Sequence, residues 1–281
     1  MARALRFADG AEVCALGQGT WEMAESRAGR ADEIRSLREG LDHGLTLIDT
    51  AEMYDDAELV VADAILGRRD DVFLVSKVLP SNASRKGTIE ACERSLKRLR
   101  TDRLDCYLLH WRGSYPLEDT VAAFEQLVSD GKVRSWGVSN FDANDLADML
   151  DVAGEGRIAC NQVLYHLNER AIEHSVISWC EKHGVAVVAY SPFGHDDFPE
   201  PQSAGGKILK EIAAQHGASP RQVALAFLTR RPSVFAIPKA SSATHATDNA
   251  GAGDVTLTDS DIAALDKAFP LGREPRSLPM I

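Results

Sequence analysis

The chain has 281 residues, 44% of them hydrophobic, and a formal net charge of −11 at pH 7. That length suits one (β/α)8 barrel or two smaller domains, and the acidic balance argues against nucleic-acid binding, which needs clustered Lys and Arg. No stretch approaches the roughly twenty apolar residues of a membrane span, and MARALRFADGAEV lacks the layout of a signal peptide, which predicts a cytoplasmic protein.

Taken in chain order, ALRFADGAEVCALG reads as two short strands around Asp9-Gly10, a hairpin signal placed to plug one end of a barrel. From Cys14 on, apolar strand runs alternate with amphipathic stretches. Helices are predicted over residues 31–43, 57–67, 85–99, 118–130, 142–152, 172–183, 206–216 and 244–250, with Gly44, Gly67, Gly131, Gly184 and Gly217 marking ends. Two more, over 220–230 and 258–268, read as additions at the surface. The second starts at Thr258, with Asp261 placed to complete the cap.

About eight strands each followed by a helix favour a parallel sheet closed as a (β/α)8 TIM barrel, a single domain over 1–281. An open doubly wound sheet would need a glycine-rich phosphate turn early on. Gly17-Gln18-Gly19 supplies half of one, but Glu22 stands where the third glycine belongs. Cys14, Cys92, Cys106, Cys160 and Cys180 form no CxxC pair and read as structural thiols.

The strand runs share a feature that core packing alone does not require. LTLIDT carries Asp49, FLVSK ends at Lys77 and CYLLH at His110. WGVSN ends at Ser139 and Asn140, ACNQ at Gln162, VVAY at Tyr190 and FAIPK at Lys239. Parallel strands deliver such groups to one face of a barrel, and that face is where barrel enzymes hold their active sites.

Asp49, Tyr54, Lys77 and His110 form a set. A buried lysine beside a carboxylate keeps its charge. A unit charge at roughly 4 Å in an effective dielectric near 20 contributes about 4 kcal/mol, so Lys77 is expected to lower the Tyr54 pKa by about three units from its reference near 10. Such a tyrosine donates a proton well to a carbonyl oxygen, which a ring N–H of His110 can orient. The plain alternatives are a loop cap for Asp49, a core histidine for His110 and a Schiff-base lysine for Lys77.

LGQGTW, LIDTAEMY, VFLVSKV, LDCYLLHW, GKVRSWGVSNF, NQVLYH, AYSPF and IPKASS follow one another in an order and spacing that resemble the aldo-keto reductases over almost the whole chain, most of all small bacterial members that reduce methylglyoxal. The resemblance implies NADPH-dependent reduction of a small aldehyde or ketoaldehyde, with NADH a weaker cofactor, in a monomer. It makes Tyr54 the general acid, tuned by Lys77 and Asp49, and gives His110 the substrate oxygen. Ser139, Asn140 and Gln162 would bind the nicotinamide carboxamide, Tyr190 would stack on its ring, and Ser191 would follow in the same cofactor segment. Trp21 and Trp111, with Phe193 less clearly, would line the substrate pocket, the alternative being rim packing.

By the same resemblance, Lys239, Ser241 and Ser242 would sit near the 2′-phosphate, and Asp248 and Asn249 near the adenine. His245 stands where the family commonly has Arg, whose fork grips phosphate more firmly than an imidazole. DTAEMYDDAELV also lacks the glycines and serine often found after that tyrosine. A different class, a nucleotide-binding redox-sensing subunit with little turnover, is opposed by the intact Asp49, Tyr54, Lys77 and His110 set. His166, His174, His183, His195 and His216 have no metal-ligand spacing and read as surface or core residues.

Overall fold

In the computed structural model, residues 4–7, 10–24 and 29–281 are described. β1 (Ala4–Arg6) and β2 (Glu12–Cys14) pair antiparallel, as expected of the hairpin; its turn residue Asp9 lies outside the described residues. Phe7 packs on Phe73 and Phe235, with ring centroids 4.6 and 4.8 Å away. The hairpin therefore closes the end of the barrel where the strands begin.

The main sheet is parallel. Its strands are β3 (Gln18–Gly19), β4 (Leu47–Asp49), β5 (Phe73–Val78), β6 (Leu104–Leu109), β7 (Val133–Ser139), β8 (Ile158–Leu164), β9 (Ala186–Tyr190) and β10 (Val234–Ala236), neighbours in chain order. Bridges Leu16↔Ala236 and Gly19↔Lys239 join the two edges, so the sheet closes on itself. Gly19 is required at that seam, since a Cβ there would lie 2.7 Å from the Ile237 carbonyl oxygen.

Both faces of the strands are buried, which is why they read as continuous apolar runs. In β6, Cys106 and Leu108 join the cluster inside the barrel, while Tyr107 and Leu109 join the one between barrel and helices. Each fully buried Leu or Val stabilises the fold by about 1.5–3 kcal/mol.

The helices are α1 (Arg30–Asp42), α2 (Ala57–Ala64), α3 (Arg85–Leu99), α4 (Leu117–Ser129), α5 (Ala143–Ala153), α6 (Val176–His183), α7 (Ala204–His216), α8 (Pro220–Leu228), α9 (Ala243–Gly251) and α10 (Asp259–Ala268). The stretch expected as one helix over 172–183 is broken, with a 3-10 turn at Ala171–Glu173 preceding α6. The assignment of the extra helices also needs correction. α8 packs on β10 and α9 and buries Val223, Ala224, Leu225, Phe227 and Leu228, so it belongs to the barrel ring. The added pair is α7 with α10, which pack on each other. The Thr258–Asp261 capping box is formed as expected. All five cysteines are free.

Candidate active site

Strand periodicity builds the site. Successive side chains of a strand alternate between faces, and residues of the inner cluster are followed two positions later by the polar strand ends. Leu47 precedes Asp49, Val75 precedes Lys77 and Leu108 precedes His110; likewise Cys160 precedes Gln162, Val188 precedes Tyr190 and Ile237 precedes Lys239. The inner face is thus apolar at depth and polar at the mouth. A cavity of about 610 Å³ opens there, lined by Trp21, Asp49, Tyr54, His110, Trp111, Ser139, Asn140, Gln162, Tyr190, Ser191, Phe193 and Lys239 among others. Its size is that of a small-molecule site.

Lys77, fully buried, lies beneath this surface. Its ammonium donates to Asp49 Oδ1 at 2.6 Å, to the Thr50 carbonyl at 2.9 Å and to the Tyr54 hydroxyl at 3.3 Å. Gln162 Nε2 donates to the other Asp49 oxygen at 2.7 Å. Burial lowers the Lys77 pKa, but Asp49 and Tyr54 outweigh it and the net direction is upward. Burial pushes the Asp49 carboxyl up against the pull of Lys77 and Gln162. Lys77 donates to one Asp49 oxygen at 2.6 Å and Gln162 to the other at 2.7 Å, and these two contacts favour the ionised pair against the cost of burial.

Tyr54 corrects an expectation. Burial raises its pKa by more than Lys77 lowers it, and Asp49 adds to the rise. The hydroxyl therefore holds its proton through neutral pH, as a donor must, and Lys77 limits the rise rather than reversing it.

His110 sits edge-on to Tyr54, with centroids 5.7 Å apart, and against Trp111 at 4.9 Å. Burial and the Lys77 charge depress its pKa to about 3, so the ring is neutral and carries one N–H. Among the described residues, its buried Nδ1 has no hydrogen-bond partner. An orphaned buried nitrogen costs free energy.

The wall opposite is a connected network. Ser139 Oγ donates to the Gln162 carbonyl at 2.8 Å, and Asn140 Nδ2 donates to the His110 carbonyl at 3.1 Å and to Ser139 Oγ at 3.2 Å. The Tyr190 hydroxyl donates to Asn140 Oδ1 at 2.9 Å. Asn140 takes a left-handed backbone, φ 61°, as does Ser191 at 45°. Burial raises the Tyr190 pKa, against a backbone hydrogen bond from Ile281.

The remaining predicted residues lie apart from the cavity. Ser242 caps α9, accepting from the His245 backbone N–H at 3.3 Å. Ser241 and His245 are exposed beside it. Asp248 accepts from Ser219 Oγ at 3.0 Å, and Asn249 is buried. Ser36 of α1 donates to the Ala240 and Ser242 carbonyls at 2.8 and 3.1 Å, which fixes the start of α9.

Sequence reasoning missed several lining residues: Glu22, Met53, His195, Met280 and Ile281. His195, expected on the surface or in the core, faces the cavity with its ring 5.3 Å from that of Trp21. Met280 and Ile281 arrive from the end of the chain, and no local pattern announces them. Among the described residues no group of three or more His, Cys, Asp or Glu can hold a metal, and no helix is long and apolar enough to cross a membrane.

The model of the aldo/keto reductase family matches residues 15–269. The chain belongs to this family. This aldo/keto reductase is 45% identical to the methylglyoxal reductase YeaE of Escherichia coli (strain K12) over 279 residues, 99% of the chain and 98% of the relative. It is 31% identical to the glyoxal reductase of Bacillus subtilis (strain 168), over 98% of the chain and 96% of the relative. A crystal structure of an aldo-keto reductase from Klebsiella pneumoniae in complex with NADPH has a TM-score of 0.93 at 46% identity, covering 100% of both chains. The protein is thus an oxidoreductase on a (β/α)8 barrel.

Proposed function

We propose that this aldo/keto reductase reduces small aldehydes and ketoaldehydes of the methylglyoxal type with NADPH, and that Tyr54 is the general acid. The observation that carries the reading is the Asp49–Lys77–Tyr54 chain, 2.6 and 3.3 Å between successive polar atoms, ending at a cavity that His110 shares. The named relatives support the substrate class: one is a methylglyoxal reductase, another a glyoxal reductase.

The residues present fit a nicotinamide nucleotide. Gln162 lines the cavity beside Tyr190, Asn140 and Ser139 and would hold the carboxamide with them. The N-terminus of α9, with Ser241 and Ser242, faces outward as helix starts that bind phosphate do, and Asp248 and Asn249 follow it. The bound nucleotide supplies the hydride.

This chain's own residues do the rest. Tyr54, protonated because burial holds its pKa up, passes its proton to the carbonyl oxygen. Lys77, kept charged by Asp49, favours the negative charge left on the tyrosine oxygen and so lowers the cost of that transfer. Neutral His110 directs the same oxygen through its N–H. Trp21 and Trp111 line the cavity and would frame the substrate. We read 1–281 as one barrel unit acting as a cytoplasmic monomer without a nucleic-acid partner; the net charge of −11 supports the last point.

The test is Tyr54→Phe. Turnover of methylglyoxal with NADPH should fall by about 10²–10⁴-fold, the range of general acid catalysis, while the NADPH Kd from fluorescence titration stays put. A variant keeping half the wild-type turnover would remove Tyr54 from the mechanism.

A further inference from the structure

One cation of the cavity is already engaged. Lys239 Nζ donates to the Glu22 carbonyl oxygen at 3.1 Å and lies 3.5 Å from Glu22 Oε2. Both residues line the cavity, 217 positions apart in the chain. The barrel seam explains the meeting: the bridge Gly19↔Lys239 brings the segment after β3 alongside the segment after β10.

Glu22 is held there by a built turn. Thr20 Oγ1 donates to the Asp49 carbonyl at 2.9 Å, and the Met23 N–H closes the turn on the Thr20 carbonyl at 3.0 Å. Met23 is buried, and the Ala24 N–H donates to the Glu33 carboxylate of α1 at 3.1 Å. Glu22 is left at the third position of the turn with φ 60°, where glycine or asparagine is the ordinary occupant. A side chain in such a backbone persists where its surroundings hold it. Here both its carbonyl and its carboxylate sit on one ammonium, and the ring of its neighbour Trp21 packs at a tilt against His195, 5.3 Å between centroids.

We propose that Glu22 is a counter-charge in the nucleotide site, which holds Lys239 and competes for it with the phosphate groups of the nucleotide. The inference rests on reading Lys239 as a phosphate-binding residue. The ion pair is about one-third exposed on each side, 31% and 36%, so it can be broken; such pairs are worth about 0–1 kcal/mol. The nucleotide must displace Glu22 and then tolerate its carboxylate nearby. Glu22 therefore weakens nucleotide binding and speeds release.

The experiment measures the Kd of NADPH and of NADH by fluorescence titration, with dissociation by stopped flow, for wild type, Glu22→Gln, Glu22→Gly, Lys239→Ala and the Glu22→Gln/Lys239→Ala double variant. Glu22→Gln should tighten NADPH about three- to tenfold, of which up to about fivefold corresponds to the lost pair at 1.4 kcal/mol per tenfold. Dissociation should slow by a similar factor. Glu22→Gly, which also relieves the left-handed backbone, should tighten NADPH as well. NADH follows by the same factor where the pyrophosphate is the rival, and stays unchanged where the 2′-phosphate is. In the Lys239→Ala background, Glu22→Gln should change NADPH affinity less than twofold. An unchanged or weaker NADPH Kd in both single Glu22 variants overturns the proposal, as does full tightening in the absence of Lys239. Wild type that binds neither nucleotide would sink the underlying reading, and the inference with it.

Discussion

The floor of the cavity and its rim are built by different means. On the floor, Asp49, Lys77 and His110 stand at or beside strand ends, side chains all but buried, with positions fixed by the sheet register and, for Asp49 and Lys77, by hydrogen bonds of 2.6–3.3 Å. On the rim stands Lys239, with Ser241, Ser242 and His245 just beyond it, on a loop and a helix start more open to water. A charge on the floor acts through a low dielectric and a fixed distance, so its removal is felt in the chemistry and in stability. A charge on the rim is screened and exchangeable, so its removal is felt in affinity. Floor variants should move kcat, and rim variants Kd.

Lys77→Met tests the floor most severely. It removes the ammonium that limits the Tyr54 pKa and leaves Asp49 buried without its partner. Breaking a buried pair from one side costs about 3–5 kcal/mol, so denaturant unfolding should show a loss of that order. Turnover should fall at least about a hundredfold, with the surviving folded protein still binding NADPH. A stable, fully active methionine variant would show that the pair neither holds the fold nor tunes the tyrosine.

The floor also makes a prediction about pH. His110 titrates near 6.5 when free and at about 3 in the fold, so the unfolded chain binds a proton that the folded one refuses between those values. Its contribution to stability is complete above about pH 6.5 and is lost as pH falls toward about 3, up to about 5 kcal/mol in all. Imidazole NMR should show no titration of His110 between pH 5 and 8. A midpoint near 6.5 would mean that the ring is neither desolvated nor under the Lys77 charge.

This contrast also decides what could be read from the sequence. The floor was legible because a strand repeats every two residues: once Val75 and Leu108 are inward, Lys77 and His110 must be. The barrel followed from about eight apolar runs each followed by an amphipathic stretch, and α10 from its capping box. The rim depends on which loops meet. Nothing near Glu22 points to Lys239, and Met280 and Ile281 reach the cavity without any periodic pattern. α7 and α8 are both amphipathic, and only packing on β10 tells which belongs to the ring. The direction of the Tyr54 shift was missed because a pairwise charge was weighed without the burial that opposes it.

On the rim, Lys239→Ala removes a full charge from the proposed phosphate site. A hydrogen bond to a charged group contributes about 1.5–3 kcal/mol, and 1.4 kcal/mol is about tenfold. NADPH should bind roughly ten- to a hundredfold more weakly, with kcat on a saturating aldehyde changed less than about threefold. Equal weakening of NADPH and NADH would take Lys239 off the 2′-phosphate and place it on the groups both nucleotides share. A collapse of kcat would erase the distinction between rim and floor.

The smallest effect is expected where the chain departs from its family. His245 stands exposed in the first turn of α9, its backbone N–H on Ser242 Oγ at 3.3 Å, so an arginine side chain can enter there without repacking. Arg brings a permanent charge and a planar fork that suits phosphate, at a site where water and salt weaken each contact. His245→Arg should therefore tighten NADPH about three- to tenfold, the equivalent of about 0.7–1.4 kcal/mol. NADH should be left alone and turnover unchanged at saturation. The gain should shrink as salt rises, because an exposed charge acts through a screening length of about 10 Å at 0.1 M and about 3 Å at 1 M. Parallel fluorescence titrations of both nucleotides at those two ionic strengths check it. Tightening that ignores salt, or that NADH shares, would mean that position 245 acts through the shape of the α9 start rather than by reading the phosphate.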